Sequence, residues 1–139
     1  SGGMSAELAV TLRDAGRGVS TCVSMGGDPI TGRTMDEFAG LFEADPESDA
    51  IVVFGEPGSE NEQRLAAALA AGKIKKPVVA LIAGEFQEQY PAGVSFGHMA
   101  AMISSPDDSA SAKRRVLAEA GAHIAASLAD IPRLLDEVL

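Results

Sequence analysis

The chain has 139 residues, 46% of them hydrophobic, 22% charged and only 4% aromatic, which is the size and composition of one globular domain and excludes a disordered tail or a fibre. Twenty acidic residues against eleven basic ones give a formal charge of −9, a field that repels nucleic acid and anionic membrane surfaces. One cysteine and two histidines exclude a disulfide framework, a Cys-cluster zinc site and a multi-histidine metal centre, so no metal site is expected and the compartment is read as reducing and cytoplasmic.

Met4, Leu8, Leu12 and Ala15 fall on one face of a helix that Gly16 and Gly18 close. Val19 to Val23 reads as a short strand with Cys22 as a small core residue, and Met25 to Gly32 has the composition of a tight loop. Thr34 and Glu37 form a capping-box pair ahead of Met35, Phe38, Ala39 and Phe42, and that helix ends near Asp45-Pro46. Ala50 to Phe54 is apolar on both faces, as in a parallel strand covered by helices, and ends in Gly55-Glu56-Pro57-Gly58. Ser59 and Glu62 read as a second capping box for a helix carrying Leu65 and Leu69 and stopped by Gly72. Pro77 to Ala83 is a further buried strand, after which a polar loop runs to Phe96-Gly97-His98-Met99 and a small-residue helix is expected from Met99. A helix with Val116, Leu117 and Ala120, an edge strand at Ala122 to Ala125 and a terminal helix from Asp130 to Leu139 complete the order. No repeat or linker interrupts it, and the alternation predicts one α/β domain over residues 1–139 with a mostly parallel sheet, opening on a helix where a strand would be usual.

In open parallel sheets ligands gather at the carboxyl ends of strands, which directs attention to the loops after Val23, Phe54 and Ala83. These hold Gly26-Gly27-Asp28, Glu56 and His98. A lone histidine is more often structural than catalytic, and His123, between Ala122 and Ile124, reads as structural in an apolar setting. Glu56 has the chemistry to orient a histidine by holding one ring nitrogen, or alternatively to cap the following helix. Ser1-Gly2-Gly3 ahead of a helix suits a phosphate, and composition alone does not separate that from a cloning remnant. Lys73, Lys75 and Lys76 read as a solvated helix end and Lys113-Arg114-Arg115 as surface. No apolar run approaches the ~20 residues of a membrane span, and Ser1-Gly2-Gly3-Met4 is no signal peptide.

Taken in order, Ser1-Gly2-Gly3-Met4-Ser5-Ala6-Glu7-Leu8, Gly26-Gly27-Asp28-Pro29, Gly55-Glu56-Pro57-Gly58, Lys76-Pro77-Val78-Val79 and Phe96-Gly97-His98 closely resemble the C-terminal ligase domain of the succinyl-CoA synthetase alpha-subunit family, nearest to ATP-citrate lyase and citryl-CoA synthetase. The resemblance covers essentially the whole chain and implies a three-layer α/β/α flavodoxin-like fold. It implies a relay of phosphoryl from a nucleotide to a histidine and on to a carboxylic acid, whose acyl phosphate coenzyme A captures. His98 matches the phosphorylated histidine, Glu56 the glutamate that holds its ring, and Ser1, Gly2 and Gly3 the helix N-terminus that binds phosphate. Gly26, Gly27 and Asp28 match a substrate or interface loop. The resemblance also implies partners: an ATP-grasp subunit or domain, a CoA-binding Rossmann domain and an oligomer. This domain alone is expected to bind no cofactor, while the complete enzyme uses ATP or GTP, magnesium and CoA. Because those domains and the strand that normally precedes the Ser1 helix are absent, the chain reads as a fragment or one piece of a larger enzyme. Met99 and Ala100 replace the family's alanine and glycine after the histidine, Ser59 replaces a glycine, and Ser104 to Ser111 lacks a glycine-rich segment. If Met99 and Ala100 crowd the loop, a non-catalytic assembly or regulatory module with the same fold is the alternative.

Overall fold

The structure, a computed structural model, describes all residues 1–139. The chain opens with helix α1 (Gly2–Asp14) and then runs through α2 (Met35–Ala44), β1 (Ile51–Gly55), α3 (Asn61–Ala70) and β2 (Val78–Ile82). After two short 3₁₀ turns, Glu85–Gln89 and Pro106–Asp108, come α4 (Ala110–Glu119), β3 (His123–Ala125) and α5 (Asp130–Val138). No helix is long and apolar enough to cross a membrane.

The three strands form one all-parallel sheet in the order β1-β2-β3. Its register pairs Ile51 with Val78 and Gly55 with Ile82 on one side of β2, and Val79 with His123 and Leu81 with Ala125 on the other. β2 lies between the other two and is buried along its whole length, which explains its unbroken apolar sequence. Two crossovers in the same direction place α3 and α4 on one face. There, with α2, they enclose Ala39, Ile51, Val53, Leu65, Val78, Ala80, Ile82 and Leu117. The opposite face carries Val79, Leu81 and Ala125 against Leu12 of α1 and Ile131, Leu134 and Leu135 of α5. The result is the mostly parallel α/β sheet that the alternation of elements predicts, in the α/β/α layering that the resemblance implies.

Three local expectations are corrected. Val19 to Val23 is not a strand: the segment is irregular and exposed, and Cys22 is exposed rather than in the core. A strand exists only where its backbone groups find a partner, and a cleft of about 420 Å³, lined by Gly16 to Gly27 on one side and Ile51 to Glu56 on the other, separates this segment from β1. Ser59 does not cap α3, whose N-cap is Glu60; Ser59 itself takes φ +55°. No helix starts at Met99. By contrast, the Thr34–Glu37 capping box is present, with Glu37 Oε2 accepting the Thr34 N–H at 2.8 Å, and β3 forms the expected edge strand.

Candidate functional site

Glu56 follows the last residue of β1, in a turn with little freedom. Pro57 and Gly58 are buried, and Gly58 takes φ +80° in the left-handed region that favours glycine. A Cβ on Gly58 would lie 2.0 Å from the Ala100 carbonyl oxygen, so the turn packs backbone to backbone against the segment that follows His98. The Glu56 carboxylate leaves this turn toward His98, with Oε1 2.7 Å from Nδ1. A carboxylate only accepts, so Nδ1 carries the proton and donates it, which leaves the Nε2 lone pair free. The His98 side chain is 45% exposed and that of Glu56 32%, which makes the ring both anchored and reachable from solvent.

The loop that presents His98 is held at several points. Gly93 N–H donates to the Ile103 carbonyl at 2.9 Å and closes its base. Phe96 stacks edge-on against Phe86 and Tyr90, with ring centroids 5.0 and 4.9 Å apart, in the T-shaped geometry that aromatic pairs favour. Ala100 N–H donates to the Gly27 carbonyl at 3.2 Å, and a Cβ on Gly27 would come within 3.3 Å of the His98 ring. Met99 is 66% exposed. The Ala100 backbone carbonyl can sit this close to the turn because Gly58 has no side chain.

Beneath the turn lies a residue that sequence reading placed on the surface. Lys113 of α4 is fully buried, and its Nζ donates to Glu62 Oε2, to the Glu56 carbonyl at 2.9 Å and to the Gly58 carbonyl. Glu62 of α3 is 3% exposed, and its Oε1 accepts the Glu56 N–H at 3.4 Å. Burial pushes the Glu62 carboxyl up from its ordinary pKa, with the Lys113 charge and hydrogen bonds pulling the other way. Helical spacing is the signal that finds both residues: Lys113 shares a face with Ala110 and Leu117, and Glu62 with Leu65 and Ala66, all buried. Of the neighbouring basic residues, Arg114 bonds the Ile82 carbonyl and Lys76 Nζ ties down the carbonyls of Phe42 and Asp45, so neither is merely solvated.

The structure thus brings His98, Glu56 and Gly27 together. Ser1 caps α1 by accepting the Met4 N–H at 3.3 Å. It lines the same cleft as Gly26, Gly27, Glu56 and Ala100, and Ser5 Oγ bonds Ser24 Oγ at 2.8 Å across that cleft's rim. Gly2, Gly3 and Asp28 are exposed and are not among the residues lining the cleft. His123 begins β3 in an exposed position rather than an apolar one. No group of three or more His, Cys, Asp or Glu side chains is gathered where it could hold a metal ion.

The chain is similar to known proteins over nearly its whole length. The family described as CoA-ligase matches residues 1–123. The chain is 35% identical over 138 residues to an ADP-forming sulfoacetate-CoA ligase subunit of an Acholeplasma species, covering 99% of this chain and 46% of that protein. It is 42% identical over 122 residues to the alpha subunit of the ADP-forming succinate-CoA ligase of Methanothermobacter thermautotrophicus, covering 88% of this chain and 40% of that one. The structure of ATP citrate lyase from Methanothrix soehngenii in complex with citrate and coenzyme A superposes with a TM-score of 0.92 at 33% identity, over 99% of this chain and 22% of that chain. The chain therefore spans less than half the length of each of these relatives.

Proposed function

This chain belongs to the CoA-ligase family, and from that premise we propose that residues 1–139 are the phosphohistidine-carrying ligase domain of a nucleotide-dependent acyl-CoA synthetase of the succinyl-CoA synthetase or ATP-citrate lyase type. The observation that carries the reading is the 2.7 Å contact between His98 Nδ1 and Glu56 Oε1, which fixes one tautomer of a half-exposed ring and frees the other nitrogen.

In the first step the Nε2 lone pair attacks the terminal phosphorus of a nucleoside triphosphate. The new N–P bond forms as the bridging P–O bond breaks, and the nucleoside diphosphate leaves with that electron pair. The ring gains positive character, and the Glu56 carboxylate at Nδ1–H offsets it without taking the proton. In the second step a carboxylate oxygen of the acid attacks phosphorus, the N–P bond breaks and its electron pair returns to Nε2, giving an acyl phosphate. The thiolate of CoA then attacks the acyl carbon and inorganic phosphate leaves. Such transfers depend on positioning and charge stabilisation, which is what the packed turn and loop supply. Ser1, Gly2 and Gly3, at the start of α1, would present backbone N–H groups and the positive end of a helix dipole to the phosphoryl group. Gly26, Gly27 and Asp28 would form a substrate or interface loop. In this reading magnesium accompanies the nucleotide, in a site outside this chain. An ATP-grasp domain or subunit and a CoA-binding Rossmann domain complete the enzyme, which is oligomeric and cytoplasmic.

The test is to incubate the complete protein, with its ATP-grasp partner, with magnesium and nucleotide in the absence of CoA and to analyse it at alkaline pH. One phosphoryl group on His98 that is lost in acid, missing in His98→Ala and reduced in Glu56→Gln is expected. An intact chain that stays unlabelled while a succinyl-CoA synthetase labels alongside it would favour the assembly or regulatory module.

A further inference from the structure

We infer that Lys113 and Glu62 are positioning residues for His98, acting through the backbone of Glu56. The turn that carries Glu56 is clamped at both of its peptide faces by one ion pair. Glu62 Oε1 accepts the Glu56 N–H, while Lys113 Nζ donates to the Glu56 and Gly58 carbonyls. The same Nζ joins Glu62 Oε2, so the two helices behind the sheet, α3 and α4, hold one residue whose side chain holds the histidine.

A buried ion pair is a poor device for stability, because desolvation offsets most of the attraction and an apolar pair of similar volume often serves as well. Retaining one here makes physical sense where two of its ammonium protons and one of its carboxylate oxygens are spent on backbone groups of the turn. All three Lys113 donors go to oxygens of the turn or of Glu62. Nothing else bonds the Glu56 carbonyl. The turn also holds Ser59 at φ 55°, the one non-glycine residue with positive φ, and such a conformation persists only where surrounding structure over-determines it. Lys113 is the polar anchor that does so from below, as Ala100 does from above.

The inference deepens the proposed function and rests on it only for the labelling arm of its test. The variant that separates position from folding is the double change Lys113→Met with Glu62→Leu, which leaves no unpaired buried charge. Arg115→Met, an exposed change on the same helix, is the control. The first readout is the His98 ring tautomer, from long-range ¹H–¹⁵N correlation at alkaline pH on the unphosphorylated intact chain. The wild type and Arg115→Met are expected to show the Nδ1–H form, and the double variant, still unfolding cooperatively, a mixture of tautomers. The second readout is the rate of His98 labelling in the complete protein, expected to fall on the order of a hundredfold, the cost of roughly ångström-scale misplacement of a reacting group. A folded double variant with the wild-type tautomer overturns the inference. Should it not fold, Lys113→Met alone serves, since the orphaned Glu62 can take up a proton. In the unsubstituted chain, a Glu56 amide that exchanges with solvent as fast as an open loop overturns it independently. A wild type that never labels, combined with a tautomer shift in the double variant, defeats the phosphohistidine reading and leaves the positioning role standing.

Discussion

A single missing methyl group shapes the candidate site. A Cβ at position 58 would meet the Ala100 carbonyl oxygen at 2.0 Å and the Met102 nitrogen at 2.7 Å, both backbone atoms that cannot swing aside, and the left-handed φ there costs an ordinary residue about 1–2 kcal/mol in addition. Gly58→Ala is therefore expected to lower the stability measured by chemical denaturation by at least that amount and to push the His98 loop off the turn, broadening the His98 ring signals. A substitution with unchanged stability and ring signals would mean the loop is not seated there. At the same scale, hydrogen-bonded carboxylates near the surface shape the response to acid. The Thr34 N–H holds the Glu37 pKa below its ordinary value, the Lys76 and Lys75 N–H groups do so for Glu43, the Ser48 hydroxyl for Asp45 and the Ser127 hydroxyl for Asp130. Groups lowered on folding stabilise the fold above their unfolded pKa, about 4, and lose that contribution as pH falls through the folded value. Glu62, raised by burial, has the opposite sign: its favourable share is present below about 4 and is lost as pH rises through its folded value. Denaturation midpoints measured from pH 7 down to about 3 are expected to fall below about pH 4, and less steeply in Glu43→Gln.

At the scale of elements, the core depends on the helices that carry the site. Leu65 of α3 is fully buried between α3 and the sheet, and Leu65→Ala is expected to cost about 2–5 kcal/mol, read as a shift of the urea midpoint. A loss below about 1 kcal/mol would show that α3 is not packed as described. Most of the elements were legible in the chain because their signals are local: the Thr34–Glu37 box, the continuous apolar run of β2 and the 3.6-residue stripes of α2 to α5. His98 and Glu56 were legible through motif order and through the loops that follow β1 and β2, and Gly27 through motif order alone, since no strand precedes it. The roles of Lys113 and Glu62 were not: the Lys-Arg-Arg run suggested a solvated face although Lys113 lies on the Ala110–Leu117 stripe, and Glu62 suggested a capping partner for Ser59 although it is buried on the Leu65–Ala66 face. Val19 to Val23 has strand-forming residue types, but pairing is a tertiary matter that its own sequence does not decide.

At the scale of the whole molecule, β1 is bonded on one side only. Ile51 donates to the Pro77 carbonyl and Ala83 to that of Gly55, so Ile51, Val53 and Gly55 face β2, and alternation turns the amides of Val52 and Phe54 toward the cleft. Val52 and Phe54 amides are expected to exchange with deuterium faster than those of Val53 and Gly55. Equal protection would mean that another strand lies against β1. The cleft reaches from that edge to Ser1, Gly27 and Glu56, so the exposed edge of the sheet and the face carrying the candidate chemistry are continuous. Under the proposed function, this face presents one nitrogen of one histidine. The measurement that tests this most directly is to identify the phosphorylated ring atom, by ³¹P and ¹⁵N NMR of the protein labelled with nucleotide at alkaline pH. Phosphorus on Nε2 of His98, with Nδ1 still protonated and bonded to Glu56, is the expected result. Phosphorus on Nδ1, or a His98 that never carries it in the complete enzyme, would contradict it.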